Sequence, residues 1–278
     1  MLYRQNLLLG ALFILLAELF FASMGAAVKM VTAELPSEMA VFMRNLFGLA
    51  LMTPLVWRRG LNGLKTGIFF YALAHLQLAD GMLLKMTSPL FMPLIALLWL
   101  GEALRRRTLV ALAIGFVGVV LVLNPQGEFN TVALIGLLGG VLASLAKVSL
   151  RRLGRSEPSL RVVFYFALLS TLISILPMFW HWQTPDLTQW GLFALVGLMG
   201  TLGQLFLTRG YAIASAAAVS PFTYASVLFG ALYGYLFWEE TISLQFVVGA
   251  ALIALAGVLA LRRGRRAGEA LVSDPARP

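Results

Sequence analysis

The chain has 278 residues and no cysteine. Disulfides and cysteine-ligated metals are therefore excluded. Charge is scarce as well: Asp, Glu, Lys and Arg make up 12% of the residues, where soluble domains carry about 25%. Histidine occurs only at His75 and His181, both expected near one membrane face, so a shared metal is not anticipated. No Walker A loop is present, and ATP-driven transport by this chain loses its support. HExxH and G-x-S-x-G are missing too, which removes the zinc-protease and nucleophile-elbow readings. No cofactor is expected. No A-x-A-like cleavage site promptly follows "LLLGALFILLAELFF", so this run reads as a retained first helix.

What the chain has is apolar sequence. Sixty percent of the residues are hydrophobic and mean hydropathy is +0.88. The apolar residues come in runs of about 20, the length a helix needs to cross a hydrocarbon core. Strands of a barrel would instead alternate over about ten residues. The fold class is therefore an all-α polytopic membrane protein. The runs are 7–30, 38–57, about 64–78, 79–101, 107–124, 131–150, 160–181, 189–213, 216–238 and 243–262, which gives ten transmembrane helices. The third is short: the stretch 66–78 spans only about 20 Å as a helix. The polar end from residue 265 to 278 reads as a disordered cytoplasmic tail.

The net charge of +9 does not point to nucleic acid, because the cations sit between apolar runs. With the N-terminus inside, one side collects Arg4, Arg58, Arg59, Lys65, Arg105, Arg106, Arg107, Lys147, Arg151, Arg152, Arg155, Arg161, Arg209 and five tail arginines. These are 18 of the 21 Lys and Arg. The other side holds Glu34, Glu38, Asp80, Glu128, Asp186, Glu239 and Glu240. The positive-inside rule then puts both termini in the cytoplasm.

The chain also echoes itself. "YALAHLQLADGMLLKMTSPLFMPLIALLWLGE" (Tyr71–Glu102) matches "YAIASAAAVSPFTYASVLFGALYGYLFWEE" (Tyr211–Glu240) in layout. Each has Tyr-Ala-φ-Ala, a small-residue turn, then an apolar helix ending in an acid. The copies lie five helices apart, and an odd number reverses the second copy. Two inverted five-helix repeats follow, over 1–125 and 126–264. In secondary transporters this arrangement places a site near the midplane.

Here the sequence resembles the drug/metabolite transporter superfamily, EamA type. The similarity runs through "GALFILLAELFFASMGAAVKM", "MRNLFGLALMTPLVWRR", "FFYALAHLQLADGMLLKMTSPLFMPLIALLWLGE", "AIGFVGVVLVLNP", "GYAIASAAAVSPFTYASVLFGALYGYLFWEE" and "VVGAALIALAGVLAL". The resemblance implies ten helices in two inverted repeats and a central cavity. It also implies movement of small metabolites, often export of amino acids or related compounds across the bacterial inner membrane. The short third helix departs from the family pattern, in which about 15 more residues precede it, so a degenerate or inactive member is an alternative reading. A membrane-embedded enzyme is another, disfavoured because no paired carboxylates or histidine cluster lie at a membrane face.

Ionisable residues within the hydrocarbon face an interior by default. Glu18, at the centre of the first helix, is read either as a proton site or as a structural partner for Arg44 or Lys85. Arg44 and Lys85 are candidates to hold a substrate carboxylate through charge-assisted hydrogen bonds. Thr87, Gln204, Arg209, Tyr211 and Tyr224 complete the expected substrate pathway. Arg209 and Lys147 lie near the cytoplasmic ends of their helices and read by default as snorkelling cations, as does Lys29 at the outer end. The small-residue patterns "GLLGG" (136–140) and "GALYG" (230–234) are expected to serve internal packing. Partners are a small-molecule substrate, the lipid bilayer and protons for coupling; monomer and homodimer both stay open.

Overall fold

A computed structural model describes residues 6–57, 88–102, 106–123, 131–154, 156–241 and 243–272. The short third crossing expected at 64–78 lies outside the described residues, as do Lys85 and Thr87. Among the described residues every regular element is helical. The long helices are α1 (Leu7–Val31), α2 (Ser37–Trp57), α3 (Ser88–Leu100), α4 (Arg106–Leu123), α5 (Thr131–Leu153), α6 (Ser159–Ser174), α7 (Leu187–Ile213), α8 (Ala225–Trp238) and α9 (Leu244–Val272). A short helical turn at Ala216–Val219 and a 3-10 turn at Ser220–Tyr224 lead into α8.

Among the described residues four spans are long and apolar enough to cross a membrane: α1, α2, α7 and the segment Ala216–Trp238. The helices Ser88–Leu100, Ser159–Ser174 and Leu244–Ala260 are shorter and also apolar. Large apolar side chains cover the outside, with Leu98 and Leu187 at 85% and 90% exposure. Polar groups such as Glu18, Asn45, Ser144, Lys147, Thr208 and Gln204 are buried instead. A skin of leucine around a polar interior is the pattern of a chain dissolved in lipid. The molecule is a multi-pass helical membrane protein.

The helix ends explain their positions. Asn6 caps α1 by accepting from the Leu9 N–H at 3.0 Å. Asp186 caps α7 in a reciprocal box with Gln189, each side chain accepting from the other residue's backbone N–H. The α9 backbone stays helical through Val272, past residue 265, where composition places the start of a disordered tail. The Arg, Ala, Glu and Leu of that segment are good helix formers, and they continue the turn that the apolar part begins.

Helices α1 and α7 run antiparallel and share the most extensive contact among the described helices. Their ends fix the direction. The Asn6 N–H donates to the Ile213 carbonyl at one end, and Gln189 Nε2 donates to Glu34 at the other, 2.8 Å away. Glycines on α7 make the approach possible. A methyl at Gly210 would fall 2.8 Å from Ile14, one at Gly203 2.8 Å from Phe21, and one at Gly200 2.9 Å from the Met24 sulfur. Gly197 takes the Phe47 side chain of α2, and Gly10 of α1 rests on Ala214. The expected seam at 230–234 behaves differently, since Gly230 meets nothing within 4 Å. Association in lipid lacks a hydrophobic driving force and depends on such close packing.

One substitution probes this contact. Gly10→Val forces its side chain against Ala214 and is expected to destabilise the bundle by about 1–3 kcal/mol. The unfolding midpoint in detergent should fall, and adding Ala214→Gly should recover part of the loss. An unchanged midpoint for Gly10→Val would refute the close approach.

Candidate functional site

Glu18 lies one residue from the middle of α1 and has no exposed surface. It is flanked along its helix by buried Ile14, Ala17, Phe21 and Ala22. Burying a carboxylate in an apolar surround is costly, so its position singles it out. Tyr211 of α7 is also fully buried, in the cluster that holds Ile14, Ala17 and Phe21 of α1. The Tyr211 hydroxyl has no hydrogen-bond partner among the described residues. One turn of α7 away, Thr208 is buried and its hydroxyl donates back to the Gln204 carbonyl at 2.7 Å. Glu18, Thr208 and Tyr211 are thus three fully buried polar residues of α1 and α7.

Arg44 and Gln204 meet in a second place. With Asn45, Gly48, Thr201 and Gly200 they line a crevice among α2, α6 and α7, closed by Val163, Phe166 and Ala167. Its volume is about 10 Å³, room for about one ordered water. Arg44 lies across Gly200, where a methyl would come within 3.3 Å of its Cγ and Nε. The Asn45 side-chain amide nitrogen is buried there without a hydrogen-bond partner among the described residues. Guanidinium, two amides and a hydroxyl therefore converge on one narrow space.

Two further candidates, Tyr224 and Arg209, lie among the described residues. Tyr224 is buried in a different cluster, with Leu112, Val119, Val227 and Ile253, and packs on Gly115 at 2.6 Å from the position of a methyl. Its hydroxyl also lacks a partner among the described residues. Arg209 is exposed on α7. Lys85 and Thr87 lie outside the described residues.

Lys147 corrects the snorkelling expectation. It is only 3% exposed, and its ammonium donates to Ser88 Oγ at 2.9 Å. Ser144, one turn earlier on α5, has one hydroxyl proton within reach of two acceptors, the Ser88 carbonyl at 2.6 Å and the Gly140 carbonyl at 2.7 Å. Distance from the helix end favoured snorkelling, but the lysine stands on the face of α5 that packs against α3. The signal was in the spacing: Gly140, Ser144, Lys147 and Arg151 recur at helical intervals and share one face.

The same face ends in an ion network that the sequence reading did not single out. Arg151 is 4% exposed. Its Nε donates to Glu102 at 3.1 Å, and its Nη1 donates to the carbonyls of Tyr211 at 3.1 Å and Ala212 at 2.7 Å. The second Glu102 oxygen accepts from Ser215 Oγ at 2.7 Å and faces the Ala217 N–H at 3.5 Å. Removing one partner of such a buried pair costs about 3–5 kcal/mol. The pair between Lys29 and Glu240 is weaker in kind. It measures 3.2 Å, its side chains are 53% and 57% exposed, and exposed pairs contribute about 0–1 kcal/mol. Lys29 also lies 4.0 Å above the centre of the Trp238 ring.

Among the described residues no group of three or more His, Cys, Asp or Glu is placed to hold a metal. The chain's similarities to known proteins agree with a transporter. Over 92% of this chain and 97% of the relative, it is 34% identical to the pseudopaline exporter CntI of Pseudomonas aeruginosa. It is 29% identical to a riboflavin transporter of Rhizobium johnstonii, covering 92% of each. An S-adenosylmethionine uptake transporter of Rickettsia bellii is 25% identical over 81% of this chain and 84% of the relative. A solved crystal structure superposes with a TM-score of 0.76 at 20% identity, over 92% of this chain and 98% of that one, and shares the fold. These names are of transporters of small metabolites rather than enzymes. The sequence profile of the EamA-like transporter family matches residues 8–124 and again 130–262, and the chain belongs to that family.

Proposed function

We propose that this protein is a secondary transporter that exports small metabolites with an anionic or zwitterionic head, such as amino acids or related organic anions. It works by alternating access of two inverted five-helix halves, residues 1–125 and 126–264. It crosses the bacterial inner membrane ten times, with both termini in the cytoplasm. The observation that carries the reading is the buried carboxylate of Glu18 at the middle of α1, inside a bundle whose outer surface is leucine-rich. A charge at that depth is a functional group by default. The crevice lined by Arg44, Asn45 and Gln204 offers donors suited to a carboxylate. Export as the direction is supported by the 34% identity to a pseudopaline exporter.

Two measurements test this. Purified protein in proteoliposomes should catalyse counterflow of labelled amino acids. Arg44→Ala should weaken apparent substrate affinity at least tenfold, about 1.4 kcal/mol. No flux for any amino acid or organic anion would favour the degenerate alternative, and unaltered affinity in Arg44→Ala would remove the anion site. Glu18 is assigned the coupling proton. Glu18→Gln should therefore abolish the response of flux to an imposed pH gradient while counterflow without a gradient persists. An intact response to the gradient would overturn the proton role.

A further inference from the structure

Helices α3 and α8 both end in a left-handed residue followed by an acid. After α3, Gly101 takes a left-handed φ of 64°; after α8, Glu239 takes 53°. The next residue is an acid in both cases, and its N–H reaches back six residues. Glu102 donates to the Ala96 carbonyl at 3.1 Å, and Glu240 to the Gly234 carbonyl at 3.3 Å. Both acids thus stand one residue past a left-handed helix end, although the left-handed residue's own N–H reaches Leu97 after α3 and Gly234 after α8. Each carboxylate then meets a cation two residues before the end of another helix. Glu102 meets Arg151, in α5 ending at Leu153, and Glu240 meets Lys29, in α1 ending at Val31.

The two pairs sit at opposite ends of the bundle. Arg151 bonds the last turn of α7, the end where Asn6 begins α1. Lys29 is near the far end of α1, about 28 Å along the helix from Gly10. On the two-half reading, α1 and α3 belong to the first half and α5 and α8 to the second. Each pair therefore crosses from one half to the other, with the order of cation and acid exchanged.

We propose that Glu102–Arg151 and Lys29–Glu240 are reciprocal latches, each closing the path between the halves at its own end. This inference rests on the alternating-access reading above. The four residues are positioning residues: they set which end is open and do not touch the substrate. The latches differ in strength. The Arg151 end is buried and bonded to four further groups, counting the Tyr211 and Ala212 carbonyls, Ser215 and the Ala217 N–H. The Lys29 end is half in solvent with one ring beneath it. The resting balance accordingly favours closure at the Arg151 end.

The chain contains no cysteine, so single reporters can be introduced on α7. Thr208→Cys reports near the Arg151 end and Thr201→Cys two turns toward the other. Both sites are buried. Labelling by a membrane-impermeant maleimide is read in proteoliposomes without substrate. Glu102→Gln should raise Thr208→Cys labelling severalfold from the Arg151 side, and the exchange Glu102→Arg with Arg151→Glu should return it toward the starting level. Lys29→Gln should raise Thr201→Cys labelling from the opposite side and lower that of Thr208→Cys. Its pair is exposed, so this arm stays readable if Glu102→Gln does not fold. Labelling that does not change, or shifts in the same direction for both variants, overturns the latches. Shifts without measurable flux would uphold the latches and defeat the substrate reading; flux with unmoved labelling would do the reverse.

Discussion

The glycine face of α7 is the constraint on which the rest depends. Gly203 and Gly210 admit Phe21 and Ile14 of α1, while Gly197 and Gly200 admit Phe47 and Arg44 of α2. Lipid tails solvate leucine as well as another helix does, so α1 and α2 gain from this arrangement only through contact at short range. Side chains at those positions would push both helices outward. The polar interior would then open, because Glu18 is fully buried on α1, and Arg44, which lies across Gly200, lines one crevice with Gln204. The antiparallel register of α1 and α7 also decides which helix ends meet.

Inside this frame, α5 supplies the cations. Lys147 and Arg151 are one turn apart, and both are buried. Desolvating two positive charges next to each other is expensive unless acceptors surround them. The acceptors come from elements distant in sequence: Ser88 and Glu102 at the two ends of α3, and the carbonyls of Tyr211 and Ala212 at the end of α7. The polar stripe of α5 therefore orders α3 and the last turn of α7 together. In lipid this is a specific contact, because no water competes for the same donors.

How far the sequence discloses this depends on whether a feature is local. Glu18 is legible because a lone acid amid an apolar helix has few structural uses, and it proves to be fully buried. The membrane class follows from composition alone. Lys147 is misread when only its distance from a helix end is weighed; its spacing to Ser144 and Arg151 carries the correct information. The packing seam is missed for a similar reason. Small-residue spacing points to 136–140, whose side-chain surroundings lie largely outside the described residues, and to 230–234, while the described contacts use Gly197, Gly200, Gly203 and Gly210, a spacing of three, three and seven. The acid at 102 is visible as the end of an echoed segment, yet its partner is 49 residues away, and only the packed helices bring them together.

The chemistry of the two ion pairs also explains which cation each one uses. A carboxylate just past a helix C-terminus sits at the negative end of the helix dipole, and both Glu102 and Glu240 are placed there. At the Arg151 end a second helix, α7, brings its own C-terminal carbonyls to the same point. The cation must therefore satisfy a carboxylate and two carbonyls that lie on different elements. A guanidinium does this with separate nitrogens held in one plane: Nε serves the acid while Nη1 serves the backbone. An ammonium directs all its protons from a single atom and could not span the same set. At the other end the requirement is smaller. Lys29 has one carboxylate and the face of Trp238, and a point charge suits both because neither needs a fork. Its greater hydration is no penalty where the pair is half in solvent. The choice of arginine at the buried end and lysine at the exposed one thus follows from how many negative groups each end gathers.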